Sequence, residues 1–271
     1  GNSSYSEIQL SLVQSKALVQ IKEGISKRLP VLLNGVTGSG KTEIYMKLAQ
    51  ECLEKGKNVL YLVPEIALSR QLEDRLYTHF GERLLTFHSG ETAVTRMNTA
   101  EAVRESETLK RNYLLLGTRS ALFLPHNKLG LIIVDEEHDN SYKQDSPAPR
   151  YNGRDTALML HRIHGCGIIL GSATPSLEEI YNCRFGKHHM VLLKERYHGS
   201  SDADIEIIDT KAERKKNGMR GNFSLKLIRH IENTLNSGGQ VVILRSRRAW
   251  ASGMQCTSCG EIVKCPHCNV S

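Results

Sequence analysis

Five short apolar runs constrain this chain more than any other feature: "VLLNG" at 31, "NVLYLVP" at 58, "YLLLGT" at 113, "LGLIIVDEE" at 129 and "GIILGSAT" at 167. Between them lie charged segments of helical period, such as "EIYMKLAQECLEKGK" and "ALSRQLEDRLYTHF". Continuous apolar runs suit strands buried on both faces, and their alternation with helices predicts an α/β fold: a parallel sheet with helices on both faces. Near residue 194 the pattern loosens into a polar, basic stretch. A second α/β unit is expected to begin there, with "IEIID" and "QVVIL" as strands around a helical "SLKLIRHIENTLNSGG". The expected organisation is one lobe over 1–195, the start of another over 196–250 and a cysteine-rich segment over 251–271.

With 271 residues and 39% hydrophobic content, the chain can build proper cores. Its 36 Lys and Arg against 29 Asp and Glu give a net charge of +7, which favours a polyanionic partner such as nucleic acid. No stretch approaches the roughly 18 apolar residues of a membrane span. The start "GNSSYSEIQL" lacks the regions of a signal peptide, so a cytoplasmic protein with no membrane partner is expected. Cys52, Cys166 and Cys183 are scattered and fit no secreted disulfide framework.

Residues 35–42 read G-x-x-x-x-G-K-[ST], after an apolar strand and before a helix. Gly35, Thr37, Gly38, Ser39 and Gly40 let the backbone fold around phosphate oxygens, with the helix N-terminus adding its dipole. Lys41 is expected to reach the β- and γ-phosphates, and Thr42 to ligate Mg²⁺. Such a site also needs an acid on a neighbouring strand end. "LIIVDEEHD" brings Asp135 there to hold the metal and Glu136 to polarise water.

The string DEEHD followed by "GSATPSLE" resembles motifs II and III of superfamily 2 helicases. "GVTGSGKTE", "LVPEIALS", "FHSG", "GTRSALFLP", "DEEHDNSYKQ", "RYNGRD", "GSATPSLE" and the terminal cysteine pairs resemble, in order, the primosomal protein N′ (PriA) family of replication-restart helicases. The resemblance implies a RecA-like fold for the first lobe. It also implies an ATP-dependent 3′-to-5′ DNA helicase core, with single-stranded and forked DNA and primosome and replication-restart proteins as partners. Gln14 stands where the family reads the adenine edge; apart from the family it is one exposed helix residue. Pro64 and Glu65, and Thr118, Arg119 and Ser120, fall in loops that in such helicases contact the single-strand backbone. Hydroxyls, a guanidinium and loop N–H groups suit phosphate, although Arg119 also reads as a surface salt bridge.

"SYKQDSPAPRYNGRD" resembles the family's aromatic-rich loop, which couples DNA binding to hydrolysis. Tyr142 and Tyr151 are expected to stack on bases while Lys143, Arg150 and Arg154 hold phosphates; the alternative is tyrosines packed on the core. Asn152 and Gly153 replace the family's usual His-Ala. Ser172 and Thr174 would link the nucleotide site to the DNA groove.

"CTSCGEIVKCPHC" holds Cys256, Cys259, Cys265 and Cys268 as two C-x-x-C pairs, each resembling a zinc knuckle. A reducing cytosol favours metal over disulfide, but only five residues separate the pairs. The family adds four further cysteines downstream, so Zn²⁺ is expected in the intact protein and half-sites here. Upstream, "LRSRRAWA" resembles a second-lobe strand, and Arg247 and Arg248 could face DNA or the nucleotide cleft. The family's far-lobe arginine would fall beyond Ser271, so a truncated chain with weak Mg·ATP binding and at most trace hydrolysis is expected. Two other classes fit parts of the pattern: a transport ATPase or nucleotide kinase, and a non-catalytic zinc and basic nucleic-acid-binding module.

Overall fold

A computed structural model describes residues 8–193 and 204–244. The chain divides into two compact units, Gly1–Ser201 and Asp202–Ser271. The first alternates helix and strand from α1 (Leu12–Ser26) and β1 (Val31–Gly35) through α2 (Lys41–Glu54), β2 (Asn58–Leu62) and α3 (Arg70–Phe80) to β3 (Leu84–Phe87). It continues with α4 (Ala93–Glu105), β4 (Leu114–Gly117), β5 (Leu129–Val134), α5 (Gly153–His164), β6 (Gly167–Ser172), α6 (Leu177–Arg184) and β7 (His189–Leu193). The seven strands form one sheet in the order β3-β4-β2-β5-β6-β1-β7, every pair parallel.

The expected α/β fold is what forms, because each central strand is apolar on both faces. Val31 and Leu33 join Ile21, Ile44 and Leu48 in one core. Leu32 turns the other way, with Val103, Ala157 and Leu170 in a second. Each such side chain contributes about 1.5–3 kcal/mol on burial, so the two cores clamp the sheet between helical layers.

Two strands lie beyond the five expected. β3 has only four residues, all half-buried, and β7 lies at the sheet edge with Met190 and Leu192 exposed. Neither carries the doubly buried run that marks a central strand.

In the second unit, α7 (Thr210–Lys215) leads into a short antiparallel pair, β8 (Met219–Arg220) and β9 (Phe223–Ser224), and then α8 (Leu225–Asn236). The helix was expected, but the flanking strands do not form: residues 205–209 and 240–244 have no ladder partner among the described residues. An isolated extended segment gains nothing from its backbone donors and acceptors, and Ile207 and Leu244 stay above 90% exposed. Cys256, Cys259, Cys265, Cys268, Arg247 and Arg248 lie outside the described residues.

Candidate nucleotide site and nucleic-acid loops

Parallel strands all end at one edge, so the loops after β1, β2, β4, β5 and β6 gather there. The phosphate loop follows β1. Gly38 and Gly40 hold φ of +77° and +85°, left-handed values that favour glycine. Gly40 caps α2 with no side-chain hydrogen bond, which leaves the helix N-terminal donors open for an anion. A Cβ on Gly40 would come 2.1 Å from Gln14 Nε2. Lys41 is buried, its Nζ donating to the carbonyls of Gly35 at 2.7 Å and Val36 at 3.3 Å. Ser39 Oγ is buried without a partner among the described residues.

Gln14 is 2% exposed, which corrects its reading as an exposed helix residue. Its Oε1 accepts from Ser11 N at 2.7 Å and its Nε2 donates to the Gly40 carbonyl at 3.1 Å. The first bond belongs to a capping box at the start of α1, and the second ties that helix to the phosphate loop.

A cleft of about 380 Å³ opens between this loop and the end of β5, lined by Thr37, Lys41, Thr42, Arg75, Asp135 and Glu136 among others. Arg75 reaches across its wall to pair with Glu43 at 2.6 Å. The donor set fits a metal–triphosphate: an ammonium and helix N–H groups for phosphate, and a hydroxyl and carboxylates, both hard oxygen ligands, for Mg²⁺.

Asp135 is held by two tyrosines. Tyr45 Oη donates to its Oδ1 at 3.1 Å, and Tyr142 Oη donates to its main-chain carbonyl at 2.7 Å. Burial, then the charge of Glu136, pushes the Asp135 carboxyl up to about 6 against the pull of Lys41. The Tyr45–Asp135 bond passes over Gly171 of β6, where a Cβ would lie 1.8 Å from Tyr45 Oη. Glu136 takes φ of +48°, a left-handed conformation costly for a non-glycine residue, which turns the chain so that adjacent carboxylates share the cleft.

The next two residues of DEEHD reach toward "GSAT". His138 Nδ1 lies 2.7 Å from Ser172 Oγ, and its Nε2 lies 3.3 Å from Thr174 Oγ1 and 3.6 Å from Glu136 Oε2. Ser172 Oγ also accepts from Thr174 N at 3.0 Å. One imidazole thus bridges Glu136, Ser172 and Thr174. Sequence reasoning assigned no role to His138, Tyr45 or Glu137, although His138 and Glu137 stand inside the quoted string.

The candidate DNA residues separate by exposure. Glu65, Ser120, Lys143 and Arg150 are exposed, and Arg119 and Tyr151 are half-buried. Pro64 and Thr118 are buried, so the Thr118 hydroxyl is not presented to a ligand. Arg119 Nη1 donates to the carbonyls of Ser141 at 3.0 Å and Lys143 at 2.7 Å, so it braces the aromatic-rich loop and makes no salt bridge among the described residues. Its guanidinium lies 5.6 Å from the Tyr151 ring centre, which Phe123 meets edge-on at 4.9 Å.

Two expectations in this loop are corrected. Tyr142 is 1% exposed and cannot stack on a base, because its ring fills the core beneath Asp135. Arg154 is 6% exposed, caged by Glu137 at 3.4 Å, Asp155 at 2.9 Å and Glu178 at 2.6 Å. The burial of Glu137 demands a countercharge, and Arg154 supplies it instead of facing phosphate.

The DEAD/DEAH box helicase family matches residues 11–183. Replication restart protein PriA of Bacillus subtilis (strain 168) is 39% identical over 242 residues, 89% of this chain and 29% of the relative. The PriA of Rickettsia felis is 40% identical over 269 residues, 99% of this chain and 40% of the relative. The chain thus spans well under half the length of either. A solved structure of RecG bound to a three-way DNA junction shares the fold, with a TM-score of 0.50 at 18% identity over 70% of this chain and 24% of that one. The phosphate loop and the Asp135–Glu136 turn line one cleft, and the family match covers well over half of the sequence: the chain belongs to the DEAD/DEAH box helicase family.

Proposed function

We infer that this chain is the ATP-binding lobe of a 3′-to-5′ DNA helicase that acts in primosome assembly and replication-fork restart. Its partners are single-stranded and forked DNA and the proteins of replication restart, and its location is the cytoplasm. Among the described residues, no helix is long and apolar enough to cross a membrane. The observation that carries the reading is the Tyr142 hydroxyl on the Asp135 carbonyl. It joins the loop braced by Arg119 to the acid of the nucleotide cleft.

In this reading, Lys41 and the α2 N-terminus hold the β- and γ-phosphates, Thr42 and Asp135 hold Mg²⁺, and Glu136 orients and polarises water. Bound Mg²⁺ supplies charge neutralisation at the phosphates. His138 senses Glu136 on one side and Ser172 and Thr174 on the other, so loss of the γ-phosphate reaches the strand end that faces DNA. Glu65, Arg119, Ser120, Lys143, Arg150 and Tyr151 line the single-strand track. In the intact protein, Zn²⁺ held in part by the half-sites Cys256/Cys259 and Cys265/Cys268 completes the reading.

The test is the ATPase rate of the full-length protein with and without single-stranded DNA. Stimulation that disappears in Glu136→Gln while ATP stays bound is the expected result. Hydrolysis indifferent to DNA would favour the transport ATPase or kinase class, and DNA binding with no ATP affinity would favour a non-catalytic module.

A further inference from the structure

The opposite edge of the sheet carries a second charged surface that the nucleotide site and its loops do not use. Four adjacent strands, β3, β4, β2 and β5, are approached there through loops rich in cations: Arg83 before β3, Lys110 and Arg111 before β4, Lys57 before β2 and Lys128 before β5. The strand register sets these loops side by side, with Leu84 and Val59 both opposite Leu114, and Asn58 opposite Leu129. Strands about 4.8 Å apart make the row about 14 Å long.

The surface is built rather than incidental. Two hollows of about 390 and 170 Å³ lie along it and share Ser106, Lys110, Arg111 and Asn112. Polar side chains underneath pin the loops. Asn58 Nδ2 donates to the Asn127 carbonyl at 2.6 Å, Ser106 Oγ to Asn127 Oδ1 at 2.9 Å, and Asn112 Nδ2 to the Leu53 carbonyl at 2.5 Å. Lys110 and Lys128 take φ of +52° and +45°. Left-handed lysines are held at a cost.

Charge is left over. Lys57, Lys110, Arg111 and Lys128 are exposed, and among the described residues only Lys128 is ion-paired, to Glu107 at 3.1 Å. Glu82 is the other acid lining the hollows. Among the described residues that line the hollows, the one aromatic is Tyr113, buried with its hydroxyl 3.0 Å from His126 Nδ1. Single-strand sites use stacked aromatics, whereas duplex backbones are held chiefly by cations and polar donors with no need of stacking. These four cations stand before three adjacent strands, a row of about 10 Å, which at 3.4 Å per phosphate spans about three phosphates of one strand.

The geometry points to a duplex-DNA backbone site on this rim, formed by Lys57, Lys110, Arg111 and Lys128 on the sheet edge opposite the nucleotide cleft. The choice of DNA as the polyanion rests on the helicase reading. The strand being tracked and a duplex arm then lie on opposite edges of one lobe.

The test is fluorescence anisotropy of a labelled 20-base-pair duplex and a labelled oligo-dT strand, titrated with this chain across a salt series. Lys110→Ala with Arg111→Ala is expected to weaken duplex binding at least tenfold at low salt and to flatten the slope of log K against log[salt] by about 2, leaving oligo-dT and ATP binding as in the parent. Unchanged duplex affinity overturns the site. So does an equal loss in Lys215→Ala with Lys216→Ala, an exposed pair in the second unit, because general charge would then account for it. Complete displacement of the duplex by inorganic phosphate at matched ionic strength would assign an isolated anion pocket and also overturn it. Retained duplex binding with loss of oligo-dT binding in Arg119→Ala would keep this site separate from the single-strand track, whereas oligo-dT binding unaffected by Arg119→Ala counts against the helicase reading alone.

Discussion

The Tyr142 hydroxyl donates to the main-chain carbonyl of Asp135 at 2.7 Å, so a residue of the aromatic-rich loop holds the backbone of an acid that lines the cleft. Tyr142→Phe removes that donor without opening a cavity and leaves a buried carbonyl unsatisfied. A loss of about 1–3 kcal/mol in chemical denaturation is expected. Tyr142→Ala should cost about 3–5 kcal/mol through the cavity it leaves. Tyr142→Phe should also lower DNA-stimulated ATP turnover in the full-length protein more than its basal rate. Equal effects on both rates would reduce Tyr142 to a packing residue.

Lys41→Ala should abolish measurable ATP binding in isothermal titration while the far-UV spectrum stays that of the parent. The ammonium rests on two loop carbonyls, Gly35 and Val36, and phosphate is the partner that charge is missing. ATP bound as tightly by the variant as by the parent would remove the phosphate-loop assignment.

Asp135 sets a pH dependence. Metal binding needs the carboxylate, and burial keeps the proton on until about pH 6. Mg²⁺-dependent nucleotide affinity should therefore be level above that pH and fall by about tenfold per unit below it. Stability moves the opposite way. The folded protein binds this proton more tightly than the unfolded chain, so a desolvation cost is present above pH 6 and is lifted as pH falls toward 4. Asp135→Asn should raise Tm at neutral pH while erasing the Mg²⁺ dependence, a stability–function exchange readable by calorimetry.

Arg154→Ala should destabilise the first unit by about 3–5 kcal/mol, because it strands the Glu137 carboxylate in the core. DNA affinity should keep its salt slope, since this guanidinium touches no phosphate. A drop of about 1 in the slope would restore it to the DNA-facing set.

Gly171→Ala places a methyl against Tyr45 Oη and 2.9 Å from Asp135 Oδ1. Loss of Mg²⁺-dependent ATP binding is expected, with about 1–3 kcal/mol of destabilisation from overpacking. Adding Tyr45→Phe should recover stability and leave the binding defect, and recovery of neither would place the strain elsewhere.

The central strands were legible because Leu32, Leu60 and Ile132 sit in runs apolar on both faces, a pattern that few other structures can bury. β3 and β7 were not legible, since a short half-exposed strand and an edge strand take their place from neighbours rather than from their own residues. The phosphate loop was legible for a local reason: its glycines answer to backbone torsion within eight residues. Tyr142 and Arg154 misled because an aromatic and a cation in a polar loop look alike whether they face DNA or a buried acid. The carboxylate that decides for Arg154, Glu137, is 17 residues away. Tyr45 carried no signal beyond its helix, since its partner Asp135 lies 90 residues on.

Gln14 already uses both ends of its amide, one on the α1 cap and one on the phosphate loop. An amide offers two N–H donors and two acceptor lone pairs, so a base read by this residue would take the second of each and leave both protein hydrogen bonds in place. A base bound there would be coupled through one side chain to both the start of α1 and the backbone of Gly40.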